Sequence, residues 1–100
     1  MRRPEILEID PRTLHLLPSQ AGGADPFKLQ TQIARFGGSS VGMPPPWVYR
    51  GSDGGLVLYN GVTRASRIAK LAPGSSIRVE VVGEIKRPVG RYPKVGDTLP

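Results

Sequence analysis

The order of apolar and turn-forming segments predicts a small α+β domain, a mixed sheet with two helices. Three observations carry this. Asp25-Pro26 starts a helix that Gly37-Gly38 stops. Asp53-Gly54 joins two short strands. Asn60-Gly61 leads from the second of these strands into another helix, which is followed by the alternating run Ile77 to Val82.

Taken in order, Glu5 to Ile9 alternates polar and apolar residues as a short strand, and Asp10-Pro11 ends it. Leu14 to Leu17 is a second apolar patch, stopped by Pro18, and Gly22-Gly23 opens a loop. In the first helix Asp25 is the N-cap and Pro26 takes the first helical position, where its missing N–H costs nothing. Phe27, Leu29 or Gln30, Ile33 and Phe36 or Ala34 then recur on one face. Pro44-Pro45-Pro46 is extended and either stiffens the approach to the next strand or serves as a ligand for an aromatic groove.

Trp47–Arg50 and Leu56–Tyr59 form a hairpin, because Asp-Gly supplies the positive backbone angles of a tight turn. The second helix runs from Val62 to about Leu71, with Val62, Ala65, Ile68 or Ala69, and Ala72 on its buried stripe. Thr63, Arg67 and Lys70 fall on the opposite side. Ile77, Val79 and Val81 share one face of the last strand. A domain over residues 1–83 is therefore expected, followed by an extended, partly mobile basic tail over 84–100 that carries Lys86, Arg87, Arg91 and Lys94.

Composition narrows the function. The chain has no cysteine, which excludes disulfides, thiolate metal sites and a sulfur nucleophile. The N-terminal Met1-Arg2-Arg3-Pro4-Glu5 is followed by too short an apolar stretch for a signal peptide or a membrane span, so a cytoplasmic protein without a membrane partner is expected. Net charge is +6, a field that attracts anions, nucleic acid among them.

The stretch Leu56 to Arg67 carries the chemistry. A strand passes through Gly61 into a helix whose first amides lack internal partners and whose dipole favours an anion. Gly61 permits close backbone approach and Thr63 adds a hydroxyl. Arg64, a cation at the positive end of the dipole, fits a bound anion that accepts its forked donors, with Arg67 close behind. The candidate phosphate-binding residues are Gly61, Thr63, Arg64 and Arg67. The alternative for Arg64 is an ion pair with Glu80 or Glu84.

Asn60-Gly61-Val62-Thr63-Arg64, then Ala69-Lys70-Leu71, then Ile77-Arg78-Val79-Glu80-Val81-Val82, resembles the ParB-like nuclease and sulfiredoxin superfamily. Leu17-Pro18-Ser19-Gln20 and Pro45-Pro46-Trp47-Val48-Tyr49 are similar to further segments of that family in the same order. The resemblance implies the fold and a phosphate site at the turn. It also sets limits. Val62 stands where sulfiredoxins carry their catalytic cysteine, Thr63 stands where many members have His or Arg, and the second arginine of the CTP-binding partition proteins is missing. The DNA-reading and dimerisation domains of those proteins do not fit in 100 residues, so chromosome partitioning is not expected of this chain alone.

Three readings follow. The first is a module binding a nucleotide or nucleic-acid phosphate, with magnesium carried by the nucleotide. The second is a nuclease or phosphotransfer enzyme such as a toxin domain, for which Glu80 is the candidate catalytic carboxylate. The third is a non-catalytic interaction, immunity or adaptor protein with a protein partner. The eight acids form no set with metal-ligand spacing, so no metal site is assigned. His15, alone between leucines, reads as a packed or surface residue. Ser39, Ser40 and Ser66 have no visible base. Trp47, Tyr49 and Tyr59 read as packing residues of the hairpin, with base stacking as the alternative.

Overall fold

Apolar alternation sets the strands, and the turn residues between them set their order. The computed structural model describes residues 4–99; Met1, Arg2 and Arg3 of the N-terminal reading and Pro100 of the tail lie outside the described residues. The strands are β1 (Glu5–Ile9), β2 (His15–Leu16), β3 (Trp47–Arg50), β4 (Leu56–Asn60) and β5 (Ile77–Glu84), and the helices are α1 (Pro26–Phe36) and α2 (Val62–Leu71). They form one five-stranded sheet in the order β1-β5-β3-β4-β2. The β1–β5 and β3–β4 pairs are antiparallel, whereas β3–β5 and β2–β4 are parallel. The protein is a small α+β fold with a mixed sheet and two helices.

Each expected start and stop has a physical counterpart. Asp25 accepts hydrogen bonds from the amides of Phe27 (2.8 Å) and Lys28 (3.1 Å), satisfying two of the orphan donors of α1. The hairpin closes through Gly51 N–H to Gly55 O (2.8 Å), with Gly54 at φ 83°. Pro46, fully buried at the start of β3, accepts the Glu80 amide at 2.9 Å, so the proline run locks the approach to β3. The core lies between the sheet and α2, where Leu14, Leu16, Val48, Leu58, Ile68 and Val79 are shut off from solvent.

Three expectations need correction. Residues 85–99 are not a loose tail. Val89 and Val95 are completely buried, the Leu16 amide donates to Pro93 O (2.7 Å), and the Val95 amide donates to Leu14 O (2.9 Å). This segment runs beside β2 and gives the sheet edge the partners that an open edge lacks. Arg67 does not face solvent with Thr63 and Lys70; it is 2% exposed. Finally, the apolar face of α1 is not sealed. No α1 residue is buried, and Phe27 is 82% exposed. The reason is architectural: α2 covers the sheet, and α1 rests against α2 rather than between two layers.

Candidate functional site

Gly61 is the hinge of the site. Its φ of +100° is a left-handed conformation that suits glycine, and it caps α2 without a side-chain hydrogen bond. A Cβ here would sit 2.7 Å from Pro46 Cβ and 2.7 Å from Arg64 Nη2. The glycine therefore lets the β4–α2 turn press on Pro46 while the Arg64 guanidinium folds back over it. The first turn of α2 holds no acid. Its amides remain available, and their dipole repels the cation placed beside them.

Arg64 is half-buried, and burial lowers its pKa from the ordinary arginine value, although an arginine stays charged. Among the described residues the ion pairs are Arg50–Glu5 and Arg78–Glu8. Neither Glu80 nor Glu84 pairs with Arg64, so the alternative expected for it is not realised. The guanidinium lines an open cleft of 260 Å³ together with Gln32, Phe36, Met43, Pro44 and Arg67.

Arg67 forms the floor of that cleft as a structural residue. Its Nε donates to Gln32 Oε1 (3.3 Å), Nη1 to Gly37 O (2.7 Å) and to Ser39 O (2.6 Å), and Nη2 to Met43 Sδ (3.3 Å). That occupies four of its five N–H groups. The carbonyls that end α1 and begin the next loop need donors, and Arg67 supplies them from below. Its charge reaches the cleft while its hydrogen bonds are spent on the fold.

Thr63 lines a neighbouring hollow of 400 Å³ with Phe27, Lys28, Thr31 and Gln32. Gln32 borders both hollows, so Thr63 and Arg64 open on one seam between the helices but not into a single cradle. Gly61 and Arg64 are brought together; Thr63 stands beside them, and Arg67 lies beneath.

Glu80 is elsewhere. Its neighbours Val79 and Val81 turn into the core, so its own side chain points to the other face of the sheet. There it borders a different cleft with Glu5, Arg50 and Glu84. The expected pairing of Glu80 with Arg64 fails by strand alternation, because α2 covers the Val79 face. Trp47, Tyr49 and Tyr59 pack on one another: Trp47 and Tyr59 stack at 6.4 Å between centroids, and Tyr49 meets Tyr59 edge-on at 5.2 Å. His15 is buried and donates Nδ1–H to Tyr92 O at 2.9 Å, holding down the C-terminal segment.

Sequence reasoning missed Gln32 and the loop around Met43 as parts of the site. Only the packing of α1 along α2 brings them there, and neither carries a local signal. Among the described residues no three His, Asp or Glu side chains gather as a metal-binding group, and no helix is long and apolar enough to cross a membrane. No protein-family model, no curated protein and no solved structure matches the chain.

Proposed function

We propose that the protein is a phosphate-binding module that takes the phosphate of a nucleotide or nucleic acid at the Gly61–Arg64 turn. One observation carries the reading: a half-buried arginine sits at the positive end of α2, on a glycine that admits no side chain, with no carboxylate within ion-pair distance among the described residues. An anion there relieves the repulsion between guanidinium and dipole and accepts both the free amides and the arginine fork. The resemblance of Asn60 to Arg64 to the ParB/sulfiredoxin-like turn supports the same reading, with the cytoplasm as its setting. Glu80 faces away from the turn, so the nuclease or phosphotransfer alternative draws no support from it.

The interaction-module reading, with a protein partner, is favoured by a separate observation, the apolar residues that α1 leaves uncovered. The two readings separate in a thermal-shift panel of CTP, ATP, GTP, ADP and pyrophosphate, each with and without magnesium. A ligand at about 100 times its Kd stabilises by roughly 2.7 kcal/mol, a rise of about 10 °C or more for a domain of this size. A rise that disappears in Arg64→Ala supports the phosphate site. A rise unchanged in Arg64→Ala removes it, and a flat panel removes the nucleotide and leaves a polymeric nucleic acid or a protein partner.

A further inference from the structure

Cations without acids gather along the two helices. From Pro26 to Pro46 and from Gly61 to Leu71 there are five cations (Lys28, Arg35, Arg64, Arg67 and Lys70) and no acid. The nearest acid in sequence, Asp25, is engaged by the Phe27 and Lys28 amides. On the other side of the molecule the stacked aromatics Trp47 and Tyr59 share their surroundings with Glu80, Trp47 being its partner in register. That face offers stacking without the positive field a polyanion needs. The helical face has the field.

Two further facts specify what the helical face accepts. The cleft at Arg64, at 260 Å³, has room for a phosphate, and the 400 Å³ hollow at Thr63 opens separately along the same seam, so a ligand that follows both extends beyond one phosphate. Lys28, Gln32 and Arg35 then continue along one stripe of α1, and Gln32 borders both hollows. Lys28 and Arg35 are seven residues apart, about 10 Å along the helix axis. One phosphate does not meet both, whereas a chain of phosphates does. Beside Lys28 and Thr63 stands Phe27, 82% exposed. A ring left in water beside a phosphate path is a stacking surface for an unpaired base.

We infer that the ligand is a single-stranded nucleic acid lying along the α1–α2 seam, with one phosphate at the Gly61–Arg64 turn, flanking phosphates on Lys28 and Arg35, and a base on Phe27. The inference rests on the phosphate reading and specifies its ligand as a polymer.

Fluorescence anisotropy tests it, with labelled oligothymidylate and oligouridylate, a duplex of equal length and an unlabelled glutamate-rich peptide as competitor. Between about 50 and 200 mM salt the single strand should bind with a log–log slope of about −2, three cations at about 0.7 each. Lys28→Gln with Arg35→Gln should flatten the slope to about −0.7. Phe27→Ala should weaken binding roughly tenfold at an unchanged slope. These three side chains are exposed, so the variants keep the fold, which circular dichroism verifies. Preference for the duplex, a slope indifferent to Lys28 and Arg35, or a peptide that binds and is not displaced by oligonucleotide overturns the inference. If pyrophosphate stabilises the protein through Arg64 while no oligonucleotide binds, the phosphate reading stands and the polymer falls. If neither pyrophosphate, nor a nucleotide, nor an oligonucleotide binds, both fall.

Discussion

Ser66 and Arg67 are neighbours on the buried flank of α2, with opposite consequences for stability. Arg67 carries a charge into the interior and meets two carbonyls, an amide oxygen and a sulfur there, while the ring of Phe36 lies 5.3 Å from its guanidinium carbon. Replacing it with Met removes the donors and leaves Gly37 O and Ser39 O unpaired, at a cost of about 3 kcal/mol. Ser66 Oγ is buried without a hydrogen-bond partner among the described residues, so Ser66→Ala should be neutral or stabilising by up to about 1 kcal/mol. Urea midpoints at an unchanged m-value measure both. Equal losses for the two variants would contradict these assignments. Sequence periodicity could not separate this pair. A serine and an arginine at such positions both read as solvent-facing, and only loop carbonyls some thirty residues away along the chain make the arginine a buried one.

At the scale of elements, legibility followed locality. Both helices and the hairpin were readable because their signals are contiguous: Asp25-Pro26, Asp53-Gly54 and Asn60-Gly61 each act on residues next to them. The short strand β2 and the segment that pairs with it were not, because two residues hold no period and their partners are distant in the chain. Asp53 shows the same limit. It reads as a turn residue and serves as one, accepting the Gly55 amide, but its carboxylate also receives the amides of Val89 and Gly90. Those bonds, Val89 first, hold its pKa below the ordinary carboxylate value. The folded protein thus binds the proton less readily than the unfolded chain. The contribution is complete above the ordinary range and is lost as pH falls below about 4. The protection factors of the Val89 and Gly90 amides, taken against the intrinsic exchange rate at each pH, should be high near neutral pH and fall on acidification. Asp53→Asn should exchange faster already at neutral pH, and equal protection in the variant would show that Asp53 is not the clasp.

Across the whole molecule, the mixed sheet divides two chemically different surfaces. One is covered by α2 with α1 alongside; it carries Lys28, Arg35, Arg64, Arg67 and Lys70, the two hollows and the exposed rings of α1. The other carries the aromatic stack and Glu80. The fold class was legible from the order of elements, and so was the position of the turn. The separation of Thr63 from Arg64 and the turning away of Glu80 were not, because both depend on which face of the sheet α2 covers. Phosphate binding at the Gly61–Arg64 turn is tested most directly by following backbone amide resonances while pyrophosphate is added. Binding there predicts the largest shifts at Val62, Thr63, Arg64 and Ala65, saturating together and abolished in Arg64→Ala. Shifts confined to the C-terminal cations Arg87 and Arg91, or none at all, would contradict it.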